Sequence, residues 1–185
     1  SGNSPYAFSG GLHGVGVAVT NALSKRVSVE VRREGKIHHV EFSDGGEKIS
    51  KLEQIGTCGK ESGTRVRAWP DAKYFDSVKI PQAEIERLLR SKAVLLPGVR
   101  VALDIEQSDG KVLSKTWSYP EGLTGYLREM AGDHEALTPI YAAEKYAEAT
   151  EGDFAEGEGA AWAFGWFEES LPSESYVNLI PTVAG

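Results

Sequence analysis

The sequence predicts an α+β fold, a two-layer sandwich in which helices cover one face of a mostly antiparallel mixed sheet. Two observations support this prediction. Alternating apolar and polar residues occur in pairs of segments joined by short turns, which is typical of β-hairpins. Other segments have apolar residues three to four positions apart, as amphipathic helices do, and the two patterns do not alternate regularly as in βαβ units.

The first half of the chain predicts one short helix followed by a meander of strands. Small and apolar residues without proline indicate the helix, and Glu34-Gly35-Lys36 supplies the turn of the first hairpin. In order, the elements are a helix over 15–24, strands over 27–33 and 37–42, a weaker strand over 49–55 and a strand over 64–69.

The second half begins with a change to the helical period, and Pro81 suits a first helical turn. The acidic, alanine-rich region near its end is interpreted as a solvated loop or insertion. In order, the elements are a helix over 81–96, strands over 99–106 and 112–119, a helix over 121–130, the acidic loop over 144–158, and strands over 161–167 and 176–180.

Composition limits the class of protein. The 185 residues are 41% hydrophobic and 25% charged, which is ordinary for one globular domain, and no run approaches the roughly 20 apolar residues that cross a bilayer. With the single cysteine Cys58 and no secretory signal, we expect a soluble protein of the reducing cytoplasm. The chain lacks an initiator methionine and ends just after a strand-like run, so we expect a piece of a longer protein.

The charge distribution disfavours nucleic-acid binding by this segment. Its formal net charge is −7, whereas wrapping a nucleic-acid backbone requires clustered basic residues. The most basic stretch, 25–33, has Val27, Val29 and Val31 in alternation with polar residues, which favours a strand with one solvated face. We expect any contact with DNA to lie in other domains.

Four glycines occur in seven residues directly before the first predicted helix, in Gly10-Gly-Leu-His-Gly-Val-Gly16. Because glycine has no Cβ and permits positive φ, a phosphate can approach the backbone where the N–H groups of the helix start point at it. The order G-x-x-G-x-G differs from that of dinucleotide folds and P-loops. The residues alone leave two interpretations open, a polyphosphate-binding loop and a tight turn needed for packing.

A second stretch, 56–62, resembles a Walker A loop only superficially. Two residues instead of four separate its glycines, and no serine or threonine directly follows Lys60. We interpret Lys60 as a surface turn lysine.

The segment Phe8-Ser-Gly-Gly-Leu-His-Gly-Val-Gly-Val-Ala-Val-Thr-Asn-Ala-Leu-Ser24 resembles the lid-and-phosphate box of the B subunits of bacterial type II DNA topoisomerases. These belong to the wider GHKL class with Hsp90, histidine kinases and MutL. Residues 63–75 and 176–182 also resemble segments of the topoisomerase B subunits, so the resemblance extends over essentially the whole chain. It implies a GHKL (Bergerat) fold, with residues 1–185 as the C-terminal larger part of the ATPase domain, ending at the start of the transducer domain.

Three segments, 21–27, 56–60 and 92–98, look more like the topoisomerase IV branch of this family than the gyrase branch. The resemblance implies a parent protein that hydrolyses ATP to drive DNA strand passage, decatenation and supercoil relaxation. Its implied partners are ATP, the A subunit and a second B subunit, with DNA bound through other domains and no membrane. The alternatives are the B subunit of gyrase and a nucleotide-binding interaction module without turnover.

The family pattern implies an ATP site in which backbone amides of the glycine box hold the phosphates and Thr64 faces the adenine pocket. Arg33 resembles the arginine that coumarin-type inhibitors contact, although a solvated strand end explains it as well, and Tyr6 and Thr64 are also ordinary core or strand residues. The implied ATP-binding residues are Tyr6, Gly10, Gly11, Leu12, His13, Gly14, Val15, Gly16, Val17 and Thr64.

The chain departs from the family at the catalytic residues. The general-base glutamate, the magnesium-binding asparagine and the adenine-binding aspartate belong to a segment before the lid, with a D-x-G-x-G-I-P pattern that does not occur here. Asp44-Gly45-Gly46 lacks the rest of that motif. No catalytic or metal-binding residue is therefore assigned, the ligand for Mg²⁺ is expected in the missing N-terminal segment, and the chain is expected to be inactive alone.

Overall fold

The computed structural model describes residues 15–77, 79–148 and 155–182. They fall into two compact units, an N-terminal unit up to residue 80 and a C-terminal unit from residue 81. Within the described residues, every strand pairing is antiparallel, and no helix is long and apolar enough to cross a membrane. The predicted α+β class is confirmed, with three α-helices in the described part of the chain.

A five-stranded sheet forms most of the N-terminal unit. Its strands are β1 (Ser24–Arg33), β2 (Lys36–Ser43), β3 (Lys48–Ile49), β4 (Glu53–Thr57) and β5 (Gly63–Pro70). Strand β1 lies between β2 and β5, and both β3 and β4 pair with β2. The β1–β2 turn has positive φ at Glu34 (52°) and Gly35 (76°), as a two-residue hairpin turn requires.

Alternation along β1 gives this sheet an apolar and a polar face. Val29 pairs with Val40 of β2 and Val66 of β5, so that valines occupy one face across three strands. On the other face, Arg26 forms an ion pair with Glu41 at 2.6 Å. The basic stretch is thus a strand with one polar face, as predicted.

Helix α1 (Gly16–Ala22) is shorter than the predicted helix, because Ser24 already belongs to β1. The Ser24 hydroxyl donates a hydrogen bond to the Thr20 carbonyl at 2.7 Å and so joins the helix end to the strand. A short 3-10 helix, Asp44–Gly46, contacts α1. Gly46 has a φ of 92°, and a Cβ there would lie 2.4 Å from Nδ2 of Asn21, so any other residue would be strained and would displace that side chain.

The C-terminal unit has α2 (Gln82–Leu95) and α3 (Gly122–Ala131) together with three separate two-stranded ladders. The ladders are β6 (Arg100–Glu106) with β7 (Val112–Ser118), β8 (Tyr141–Tyr146) with β9 (Gly159–Phe164), and β10 (Tyr176–Val177) with β11 (Ile180–Pro181). Each ladder joins strands that are consecutive along the chain, since antiparallel neighbours need no crossover connection.

Two sequence-based expectations are corrected here. A single mixed sheet was expected, but the described strands form one five-stranded sheet and three ladders, all antiparallel. The acidic region 144–158 was expected to be a loop, but Glu144, Lys145 and Tyr146 lie in β8, paired with residues 159–161. Charged side chains there are solvated on an exposed ladder, so they do not oppose strand formation. Residues 149–154 of this region lie outside the described residues.

The core of the C-terminal unit contains Ala93 and Val94 of α2, Tyr119 after β7, and Tyr126 of α3. The two tyrosine rings meet edge to face at 5.5 Å. The hydroxyl of Tyr119 donates to Glu129 at 2.9 Å, and that of Tyr126 donates to Glu174 at 3.1 Å. Burial, aided by these carboxylates, raises the pKa of Tyr126 to about 12 and also raises the pKa of Tyr119.

These shifts predict alkaline unfolding. A tyrosine whose pKa is higher in the folded state keeps its proton while the unfolded chain loses it, so stability is unaffected below pH 10 and falls as the pH rises from about 10 to 12. Urea titrations at several pH values in this range give the free energy of unfolding as a function of pH. We expect its decrease with pH to be less steep in Tyr126→Phe than in the wild type, by up to about 1.4 kcal/mol per pH unit. Replacement of the exposed Tyr74 by phenylalanine is the control and should leave the slope unchanged. Equal slopes in wild type and Tyr126→Phe would contradict the prediction.

Candidate functional site

The start of α1 is the described part of the predicted phosphate loop. Val15 is the N-cap residue, with φ −95° and ψ −5°, and no side chain caps the helix. No acidic residue lies in its first turn. Helix-start N–H groups have no partner within the helix, and no described side chain caps those of α1, which is the arrangement that an anion-binding helix start requires.

Among the described residues, the surface around this helix start is open. A Cβ built at Gly16 meets none of their atoms within 4 Å outside its own helix backbone and chain neighbours, and the side chain of Val17 is 73% exposed. Space at Gly16 is what a close backbone approach by a ligand would require. Of the predicted ATP-binding residues, Val15, Gly16, Val17 and Thr64 are described. Tyr6, Gly10, Gly11, Leu12, His13 and Gly14 lie outside the described residues.

Strand register brings Thr64 and Arg33 to the same face of the sheet. Thr64 of β5 pairs with Val31 of β1, and Arg33 lies two residues further along β1. Residues two apart in a strand point to the same side, as do directly paired residues of neighbouring strands. The two residues therefore share the face that carries the valines.

Arg33 lies at the end of β1 beside the hairpin turn. Its Nε donates to Oε1 of Glu34 at 3.2 Å, and both side chains are largely exposed. An exposed pair of this kind holds its partners weakly, so the guanidinium can exchange Glu34 for another partner.

His38 also lies on this face, although the sequence analysis did not single it out. This residue pairs with Val31 from the β2 side, and so lies on the same face as Thr64 and Arg33. The signal was available in the sequence, because a two-residue turn at 34–35 determines which residues of the hairpin pair. His38 is half-buried at this face.

The described residues do not offer a metal site. No group of three or more histidine, cysteine, aspartate or glutamate residues is placed to hold an ion in the part of the chain that the structure describes. Asp44, the aspartate of the incomplete motif, forms an ion pair with Lys48 at 2.6 Å. The described residues therefore present no cluster of carboxylates that would hold magnesium.

Lys60 lies in an exposed turn after β4, as interpreted from the sequence. Gly59 before it has a φ of 57°, which glycine adopts readily. The amide of Glu61 donates to the Cys58 carbonyl at 3.0 Å and closes this turn. The resemblance of 56–62 to a phosphate loop thus has no structural counterpart.

The fold matches that of a solved ATPase domain. A crystal structure of the 43K ATPase domain of Thermus thermophilus gyrase B in complex with an aminocoumarin aligns with a TM-score of 0.72 and 27% identity. The match covers 91% of this chain and 44% of that one. The chain therefore has the fold of the GHKL ATPase domains.

The chain is homologous to the ATPase region of the B subunit of bacterial topoisomerase IV. It is 42% identical over 189 residues to the B subunit of DNA topoisomerase 4 from Escherichia coli K12, and 44% identical over 186 residues to that from Pseudomonas aeruginosa. Identity to the B subunit of DNA gyrase from Helicobacter pylori is 36% over 185 residues. The predicted resemblance is thus confirmed.

The alignments with the two topoisomerase IV proteins cover 99% of this chain but only 28% of the length of either relative. No protein-family model matches the chain.

Proposed function

We propose that residues 1–185 are the C-terminal larger part of a GHKL-type ATPase domain, ending at the start of a transducer domain, in a cytoplasmic type II topoisomerase. Hydrolysis of ATP by the parent protein drives DNA strand passage, decatenation and supercoil relaxation. The observation that supports this most strongly is the 42% identity to the B subunit of topoisomerase IV over 99% of the chain. The proposed partners are the A subunit and a second B subunit, with DNA bound through other domains.

In the proposed nucleotide site, the backbone from Gly11 to Val17 binds the β- and γ-phosphates of ATP. Among the described residues, no side chain caps the start of α1 and no atom outside the local helix backbone lies within 4 Å of a Cβ at Gly16, and both observations support this role because an anion needs donors and space there. Thr64 contributes to the adenine pocket, together with Tyr6 from before the box. Arg33, on the same face as Thr64, is the proposed contact for coumarin-type inhibitors.

The chain supplies only part of the catalytic machinery. Phosphoryl transfer requires a group that positions the attacking water and cations that neutralise the phosphate charge. The described residues contain no metal-ligand cluster, and the sequence lacks the D-x-G-x-G-I-P pattern that carries the carboxylate base in this family. We propose that the chain holds half of an ATPase site and is inactive by itself.

Joining the chain to an upstream segment that carries this pattern tests the proposal. In a dimer-competent protein with that segment and the transducer domain, we expect ATP hydrolysis that double-stranded DNA stimulates. The 185-residue chain alone is the control, and we expect no turnover from it above the uncatalysed rate. Absence of hydrolysis in the folded, dimeric longer protein would contradict the proposed function. Turnover by the control would contradict the division of the site.

A further inference from the structure

None of the apolar side chains of the β10–β11 hairpin is fully buried, and Tyr176, Leu179 and Pro181 are half-buried. Its strands have two residues each and, among the described residues, pair only with each other. Val177 is 61% exposed and Ile180 is 38% exposed. Because an isolated two-stranded hairpin is marginally stable in water, other contacts must hold it in place.

Two polar contacts connect this hairpin region to the helices. The Nζ of Lys92, on α2, donates a hydrogen bond to the backbone carbonyl of Leu179. On the other side, Glu174 accepts hydrogen bonds from Tyr126 of α3, at 3.1 and 3.2 Å, and from Tyr176 of β10. Each contact includes a charged group, and such hydrogen bonds are stronger than those between neutral groups.

The backbone at the hairpin turn needs such support. Asn178 and Leu179 both have positive φ, 48° and 69°. Asparagine tolerates this left-handed region, but leucine rarely adopts it, because its Cβ crowds the following carbonyl. The carbonyl that Lys92 binds belongs to Leu179 itself, so the contact stabilises the turn in its less favoured conformation.

We propose that residues 174–182 form a releasable strap, docked on α2 and α3 through Lys92 and Glu174 more than through its partly buried apolar side chains. A segment with few buried apolar contacts opens at a lower free energy than the core around it. Loss of either polar contact therefore releases the strap locally, while the core formed by Ala93, Val94, Tyr119 and Tyr126 remains folded. The strap is a conformational device of this chain, and it does not depend on nucleotide binding.

Hydrogen exchange of the 185-residue chain, followed by mass spectrometry with residue-level fragmentation, tests this inference. The amide of Thr182, which donates to the Ser175 carbonyl at 2.9 Å, reports on the strap, and the amide of Val94 reports on the core. In Lys92→Met we expect exchange at Thr182 to accelerate at least about tenfold, the equivalent of one charged hydrogen bond, with Val94 unchanged.

Two further variants make the test specific. Lys92→Arg keeps a positive donor and should restore most of the protection at Thr182, which a purely structural loss would not explain. Lys115→Met removes another lysine of this unit, ion-paired with Glu86 at 2.6 Å, and should leave exchange at Thr182 as in the wild type.

Unchanged exchange at Thr182 in Lys92→Met would overturn the inference. Equal acceleration at Thr182 and Val94 would also overturn it, because the lysine would then stabilise the whole unit and not the strap.

Discussion

Replacement of Gly16 by valine in the complete ATPase domain is expected to abolish nucleotide binding without unfolding the domain. Outside the local helix backbone, the new Cβ meets no atom of the described residues within 4 Å, and Gly16 does not have a positive φ, so the described part of the fold tolerates the substitution. A phosphate bound to the backbone amides would meet the same side chain directly. We expect affinity for a non-hydrolysable ATP analogue to fall at least about 100-fold in calorimetry, because several charge-assisted hydrogen bonds are lost together.

The control for this substitution is Val17→Ala on the same turn of helix. Val17 is largely exposed, and its proposed role is through its main chain, so the affinity should change less than about threefold, a difference under about 1 kcal/mol. Gly14→Val, within the same glycine box, is expected to act as Gly16→Val does. Unchanged affinity in both glycine variants would refute the proposed role of the box.

Replacement of Val94 by aspartate is expected to unfold the C-terminal unit or to destabilise it by at least about 3 kcal/mol, because a carboxylate would lose its water without gaining a partner. Val94 is 1% exposed and packs with Ala93, Tyr119 and Tyr126. Urea unfolding followed by far-ultraviolet circular dichroism measures the effect.

Leu88→Asp, on the same helix, is the matched control. Leu88 is 43% exposed, so the carboxylate there remains hydrated, and we expect a loss of less than about 1 kcal/mol. Aspartate has about the same helix propensity as valine and a lower one than leucine, so helix propensity cannot account for a larger loss at Val94 than at Leu88. Similar losses at the two positions would show that the core does not lie where the structure places it.

The comparison of these two residues shows where sequence reasoning succeeds and where it stops. The apolar spacing in 81–96 predicts an amphipathic helix, and α2 spans Gln82–Leu95. The spacing does not distinguish Leu88 from Val94, since both belong to the apolar set. Only packing against Tyr119 and Tyr126 decides that Val94 is buried and Leu88 is not.

Strand prediction was accurate where alternation was strict and failed where composition dominated. The runs 27–33 and 37–42 lie within β1 and β2, because alternation of valine with polar residues requires an extended chain. The acidic residues near 144 suggested a loop, yet the structure forms β8 there by pairing with β9. Pairing with a partner strand outweighs the low strand propensity of alanine and glutamate.

The sequence by itself determined most of the local elements and, through the glycine box before α1, the resemblance to type II topoisomerase B subunits. Local elements can be predicted in this way because backbone preference and the spacing of apolar residues depend on residues that are close in the sequence. Tertiary structure alone decided the register that places Thr64 and Arg33 on one face, and the bond from Lys92 to a carbonyl 87 residues away. Contacts between distant segments depend on how the elements pack together. The spacing of apolar residues within one segment carries no information about this packing.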